Sequence, residues 1–427
     1  MIPEIAGLRA VAVLWMIGFH VVFCIGFHVP AVEYRELLTN PLLAVFSQGH
    51  LAVDSFFVIS GYLITFALSK ELAINGRIQI ARFYYRRWMR IVPAYTVVTL
   101  LSYPILGKES NIQNSWANLL FINNFLPLQQ QAVPWSWSIA IECQFYALAP
   151  WLVLGWHLLR PHGPGGIRLR RASYWTWLVP LLILGTTCTI RGGLASLTPE
   201  LGHWLAGSAR IGWLHMPYLF HPEFDWVCFH DYFNMIYDKP YGRCAPLLLG
   251  AYIVHLERQP AVMHWVAGQS IGSRLARAIF ALMVPFSVWL SGDITCNRGG
   301  NGWRALINLA CYRVLFSAAV AYLFLYIIAC RNCAQDSRLS RFLSWSRWQP
   351  VAALSYSAYL IHLLIVLTLW SLLAARSAQH GAAVWFWVLP LTYGLTFLSA
   401  ALLYSLVEKP LRSFSRRKQG RLAGASD

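Results

Sequence analysis

The sequence predicts an all-α, polytopic transmembrane bundle of about ten helices with both termini in the cytoplasm. Three observations predict it. Of 427 residues, 57% are hydrophobic and only 12% are charged, against about 25% charged in an ordinary soluble domain. Apolar segments long enough to cross a bilayer recur along the whole chain. The loops between them alternate between arginine-rich and arginine-poor, the pattern that sets orientation in a membrane. The net charge of +17 would otherwise raise nucleic acid as a partner. Here the bases cluster between apolar segments, so the lipid bilayer is the expected partner and nucleic acid is not.

In chain order the spans fall at 8–29, 51–69, 91–107, 137–159, 174–190, 243–257, 276–291, 306–330, 351–374 and 383–407. A span needs about 20 apolar residues, and the third, fifth, sixth and seventh are short or interrupted. The first is not preceded by the basic region of a signal peptide, nor followed by a small-residue cleavage site. The stretch 115–127 reads as an extra helix lying at the interface. Pro285 and Pro390 fall inside spans, which membrane bundles tolerate as kinks.

One set of loops carries Arg77, Arg82, Arg86, Arg87 and Arg90, then Arg160, Arg168, Arg170 and Arg171, then Arg258 and Arg274, then Arg331, Arg338, Arg341 and Arg347. The alternate set is poor in bases, and 191–242 holds Glu200, Glu223, Asp225, Asp231 and Asp238. The arginine-rich side is therefore expected to be cytoplasmic. Residues 1–410 read as one membrane domain without internal repeat, linker or appended soluble domain, and 411–427 as a basic cytoplasmic tail. Of the nine cysteines, Cys24, Cys143 and Cys188 sit in apolar segments as small hydrophobes. Cys228, Cys244 and Cys296 fall in or near outer loops, where a disulfide is possible without being required. Cys330 and Cys333 form a CxxC without the further ligands of a zinc site, so no metal is expected.

Ionisable groups inside hydrocarbon are costly and point to function. Arg9 and His20 share the first span; eleven residues return to nearly the same helical face, with about 16 Å between them along the axis. Arg9 then lies near the cytoplasmic edge and His20 near mid-membrane. Asp54 lies just inside the outer end of the second span, either pairing with His20 and fixing its tautomer, or capping the helix or bonding a loop backbone. Ser60 and Gly61 suit close helix packing. Arg86, Arg87 and Arg90 open the third element, three and four residues apart, so they can share a face. Guanidinium groups bind phosphates bidentately, although positive-inside bias alone also accounts for such a cluster. Glu142 is a buried carboxylate that is either a proton acceptor or the partner of an arginine. His362 lies on an apolar stripe of the ninth span, as a core residue or as part of a polar pathway with His20. Glu408 is expected to pair with a nearby arginine. The loop 215–246 is aromatic and acidic, fitting either a sugar-holding surface or a lid on the bilayer. The chain has no Gly-rich phosphate motif, HExxH or GxSxG.

The segments GLRAVAVLWMIGFH at 7–20, VDSFFVISGYLIT at 53–65, RRWMRIVPAY at 86–95, WSWSIAIECQFY at 135–146, RCAPLLLGAY at 243–252, LSYSAYLIH at 354–362 and EKP at 408–410 occur together in this order. As an ordered set they resemble the acyltransferase 3 family of integral membrane O-acyltransferases. The resemblance implies ten membrane helices and transfer of an acyl group, usually acetyl, from cytoplasmic acyl-CoA. The implied acceptor is a hydroxyl of an envelope saccharide or a secreted metabolite, and the implied location a bacterial inner membrane. It maps the family's basic-to-histidine motif onto Arg9 and His20, its paired arginines onto Arg87 and Arg90, its acidic positions onto Asp54 and Glu142, and its late histidine onto His362. Ala10 replaces a common glycine, and Cys143 stands where a second acid is frequent. On this reading Arg87, Arg90 and Arg9 hold the CoA phosphates, with Arg86 in support. His20 deprotonates the acceptor or carries the acyl group covalently, and Asp54 orients it. The alternative class is a proton-coupled transporter using His20, Asp54, Glu142 and His362 as a relay. Its usual two-fold hydropathy symmetry is not evident in the sequence.

Overall fold

The computed structural model describes residues 2–25, 37, 39–106, 112–158, 179–191, 233–296, 302–380 and 384–413. The acidic part of 191–232, the arginines at 160–171, Cys228 and most of the basic tail lie outside the described residues. Every regular element among those described is helical. They are α1 (Pro3–Ile25), α2 (Pro41–Ser47), α3 (Ala52–Asn75), α4 (Ile80–Leu106), α5 (Ser115–Leu119), α6 (Trp137–Leu158), α7 (Val179–Arg191), α8 (Pro240–Glu257), α9 (Pro260–Ala267), α10 (Ile271–Cys296), α11 (Gly302–Asn332), α12 (Arg338–Leu343), α13 (Trp348–His380) and α14 (Val384–Leu403).

Seven stretches are long and apolar enough to cross a membrane, on α1, α3, α6, α10, α11, α13 and α14. The chain is a multi-pass helical membrane bundle. The other three expected spans have visible causes. The segment 91–107 is the second half of α4, whose first half carries the arginines. The segment 243–257 is most of α8, an 18-residue helix. Of 174–190, only the part from Val179 is described, as the 13 residues of α7. The stretch 115–127 holds α5 and a 3-10 turn at Asn123–Phe125 rather than one helix.

The bundle's outer surface is apolar: Leu282 is 67% exposed, Trp387 78% and Leu406 74%. Lipid is the solvent that these side chains meet, so apolar burial does not drive helix against helix here; close packing and polar contacts do. The α3–α8 crossing shows this directly. A Cβ on Gly61 would stand 2.0 Å from the Leu247 carbonyl oxygen, and one on Gly250 would stand 2.1 Å from that of Val58. The two helices run parallel, since Asp54 meets Arg243 and, further along both chains, the Tyr62 hydroxyl donates to Glu257 at 2.9 Å. Close packing at Gly61 is what its small neighbourhood in the sequence suggests. α3 ends at Gly76, whose φ of +66° is left-handed and whose N–H donates to Leu72.

α1 runs parallel to α13. Arg9 meets Ser355 and, about two turns of α13 later, His20 meets His362. Ala10, expected to be glycine by resemblance, is fully buried beside Ala352, where its methyl fits. At the far end of α14 a π-turn, Tyr404–Glu408, turns Glu408 towards the Ser357 hydroxyl and the Arg412 guanidinium, the arginine pairing expected for it. Between α6 and α8 lies a buried polar plug. Asn118 and Asn123 donate to the Ser136 hydroxyl at 3.0 and 3.2 Å, and Gln131 donates to Asp238 at 3.0 Å. Cys24, Cys143, Cys188 and Cys244 are free thiols.

Two outcomes follow. Gly61→Ala and Gly250→Ala each press a methyl into backbone and should lower stability by about 1–3 kcal/mol. Gly155→Ala, with nothing within 4 Å of the added methyl, should be neutral. Thermal unfolding in detergent reads both. Asp238, in the plug outside the spans, is pushed up to about 6 from 3.8 by burial, with Lys239 opposing. A carboxyl raised in the folded state stabilises fully below its unfolded pKa, and that contribution is lost as pH rises through the folded one. Stability should therefore fall between pH 3.8 and about 6. Asp238→Asn should flatten that part of the stability–pH curve.

Candidate active site

Two halves of one site lie along the α1–α13 seam. The half nearer the N-terminus of α1 is a cavity of about 90 Å³ lined by Arg9, Ser60, Arg90, Glu142, Tyr146 and Ser355, among others. Arg9 reaches it because α1 places its basic side chain towards α13, where Nη2 donates to Ser355 Oγ at 2.7 Å. Glu142 accepts from the hydroxyls of Ser60 and Tyr146. It therefore joins α6 to α3 through a hydroxyl rather than through an ion pair, while Arg9 and Arg87 stand within electrostatic reach. Arg87 lies over the rings of Phe83 and Tyr146, at 5.7 and 5.8 Å from their centroids. Arg90 and Arg412 add further positive charge near Arg9. Arg86 points elsewhere: it bridges Glu71 at 3.3 Å.

The second half is a histidine pair. His362 Nδ1 lies 2.6 Å from the Tyr359 carbonyl. A carbonyl only accepts, so that nitrogen carries the proton, and in a neutral ring Nε2 then holds a lone pair. That lone pair faces His20 Nδ1 at 3.2 Å. His20 Nδ1 also lies 3.0 Å from the Met16 carbonyl, so it too carries its proton and donates. The basic nitrogen of His20 is therefore Nε2. When Nε2 gains a proton, the resulting charge meets two acceptors already aimed at Nδ1–H, the Met16 oxygen and the His362 lone pair. Tyr359 joins the two halves: its ring lines the cavity, its carbonyl holds His362, and its hydroxyl bonds the Ser138 hydroxyl and donates to the Trp135 carbonyl at 2.6 Å.

Asp54 does not meet His20, so the expected pair is corrected. Its two oxygens accept from Arg313 Nη1 at 2.9 Å and Arg243 Nη1 at 3.3 Å, with all three side chains buried. The reason is charge: two guanidiniums in the bundle interior outcompete a neutral imidazole for one carboxylate. Nor does Asp54 cap α3, which has no side-chain cap. Aromatic faces complete the cluster. Arg243 lies 4.2 Å from the Tyr237 centroid and 4.7 Å from that of Trp137, and Arg313 lies 4.9 Å from Tyr237. His50 connects the cluster to the histidine pair, with its ring 5.5 Å from Phe19 and 6.2 Å from Tyr312.

The structure thus brings Arg9, Arg90 and Glu142 around one cavity, with Arg87 over the ring of Tyr146 that lines it, and brings His20 and His362 into contact. It separates Asp54 and Arg86 from both. Arg243, Arg313, His50 and Tyr359 carry geometry that residue-by-residue reading missed. Arg313 was detectable, because it lies within the apolar run 306–330 and the rule that singles out Arg9 applies equally to it. Removing one partner of a buried ion pair costs about 3–5 kcal/mol. Asp54→Ala should therefore lower the unfolding midpoint sharply, whereas His20→Ala, which breaks only a shared hydrogen bond, should leave the fold intact by the same measurement.

Residues 2–405 match the acyltransferase domain of the acyltransferase 3 family. The chain is similar to the O-acetyltransferase OatA of Staphylococcus aureus, at 24% identity over 99% of this chain and 60% of that protein. It is similar to a putative O-acetyltransferase of the same species, at 34% identity over 35% of this chain and 24% of that protein. It is also similar to the nose resistant to fluoxetine protein 6 of Caenorhabditis elegans, at 24% identity over 84% of this chain and 44% of that protein. The chain spans less than two thirds of the length of each of these relatives. No solved structure matches it. A family match over nearly the whole chain, on a helical membrane bundle, shows that the chain belongs to the acyltransferase 3 family of integral membrane proteins.

Proposed function

We propose that the chain is an O-acyltransferase that moves an acetyl group from cytoplasmic acyl-CoA to a hydroxyl of an envelope saccharide or a secreted metabolite, across a bacterial inner membrane. The observation that carries the reading is the seam itself: a cation-lined cavity at one end and a basic nitrogen on His20 at the other, about 16 Å apart on one helical face. Arg87, Arg90 and Arg9 supply the charge that the phosphates of CoA require. The pantetheine arm rises from them along α1, which sets the thioester near His20.

In the reaction, the acceptor hydroxyl gives its proton to His20 Nε2 as its oxygen attacks the thioester carbonyl. The carbon–sulfur bond breaks, and the CoA sulfur leaves and takes up the proton from His20. His362 and the Met16 carbonyl hold the ring in the tautomer that this needs and stabilise the imidazolium. The role first read for Asp54 thus passes to His362. Asp54 instead holds α3, α8 and α11 together around the histidines. Burial in the bundle keeps water from competing for the thioester.

Purified protein incubated with labelled acetyl-CoA and a saccharide acceptor should transfer label. His20→Ala should reduce the rate by about 10²–10⁴-fold, the range for a lost general base. Undiminished transfer by that variant would remove His20 from the chemistry. Arg87→Ala combined with Arg90→Ala should raise KM for acetyl-CoA with a smaller effect on kcat, the sign of lost ground-state binding. Mass spectrometry of envelope glycans and secreted metabolites, with and without the protein, should reveal the acceptor as a lost 42-Da increment, about the mass of an added acetyl group.

A further inference from the structure

We infer that the arginine-rich end of the bundle holds one anionic phospholipid in a groove that the proposed reaction does not use. The groove has a volume of about 330 Å³ and lies between the C-terminal parts of α3, α6 and α8 and the facing side of α7. It is separate from the cavity at Arg9. α6 presents Glu142 and Tyr146 to that cavity but Phe145, Ala149 and Val153 to the groove.

The lining is graded. The part of the lining that lies within the helices is hydrocarbon, with Val153, Ile183, Leu248 and Ala251. The rim, at the helix ends, is Trp156, Tyr252, His157, His255 and Arg258. Trp156 stands edge-on to Tyr252 and His255, with ring centroids at 6.3 and 5.1 Å. Tryptophan and tyrosine concentrate where hydrocarbon meets headgroups, because their rings are apolar at one end and polar at the other. Arg258 is the C-cap residue of α8 and is exposed at this level. A site with an apolar floor at chain depth and a guanidinium at headgroup depth matches one acyl chain joined to a phosphate.

Charge decides the lipid class. Arg258 and two histidines line the groove, and among the described residues no carboxylate does. The nearby acids are engaged elsewhere: Glu257 accepts from Tyr62, and Glu71 bridges Arg86. The occupant is therefore anionic, and its source is the bilayer leaflet on the arginine-rich side, which the groove faces beside the exposed Leu152 and Leu158.

The test is native mass spectrometry of the purified protein with phosphatidylglycerol or phosphatidylcholine of identical chains. One phosphatidylglycerol should be retained about fivefold better than phosphatidylcholine, the factor that about 1 kcal/mol per surface arginine supplies. Arg258→Glu should abolish that preference, and Ala73→Trp, which fills the groove from an exposed position, should reduce retention of both lipids. Brominated phosphatidylglycerol should quench tryptophan fluorescence less in Trp156→Phe. Equal retention of the two lipids by the wild type would overturn the anionic assignment. Retention and quenching that ignore both Ala73→Trp and Trp156→Phe would overturn the groove, as would a dimer that excludes lipid. Acetyl transfer measured on the same preparations reports the catalytic reading independently.

Discussion

A carboxylate between two arginines, buried away from water, is the constraint on which the rest of the bundle depends. Asp54 ties α3 to α8 through Arg243 and to α11 through Arg313. Any one of these charges alone would be costly in hydrocarbon. Asp54 offsets part of the charge of both guanidiniums, which also lie over the rings of Tyr237, Trp137 and Tyr312. A buried ion cluster is a poor source of net stability but a strong source of uniqueness, because sliding any one helix would strand a charge. The Asp54–Arg243 contact joins the same two helices whose tight crossing brings Gly61 and Gly250 against facing backbone.

The same fixed frame explains how α1 can carry a chemically active face. α1 is packed on α13 along its length, through alanines at the N-terminal end and through Val13, Met16 and Ile17 further on. Such packing leaves few positions for polar groups. Arg9 and His20 occupy two of them, each met by a polar residue of α13, Ser355 and His362. Parallel helices keep this correspondence in step, so one helix pair holds both polar contacts.

Much of this was legible in the sequence, and the misses have physical causes. Long apolar runs announced the spans of α1, α3, α6, α10, α11, α13 and α14, since lipid demands them. The first half of α4 was not legible as part of a long helix, because arginines at an interface break the apolar run without breaking the backbone. Arg9 and His20 stood out through helical spacing, and the resemblance reached His362. The partners of Asp54 did not stand out. They lie 189 and 259 residues away along the chain, and local pattern carries no information about such contacts. Pairing Asp54 with His20, the ionisable group deep in the first span, leaves out two stronger competitors.

That substitution of partners bears on how a histidine can act as a base at this depth. A carboxylate beside His20 would form an ion pair when the ring protonates, and would also carry charge into the apolar seam in the resting state. His362 and the Met16 carbonyl are neutral acceptors. They orient the ring without resting charge and still stabilise the imidazolium when it forms. In the proposed reaction the positive charge appears only as the ring protonates, next to the departing thiolate that neutralises it. The charged groups are kept at a distance on either side: the arginines around the cavity, where phosphates can meet them, and the Asp54 cluster beyond His50, where they hold helices. Between them the seam stays neutral, the setting in which a thioester is safest from water and a proton moves with the smallest change in solvation.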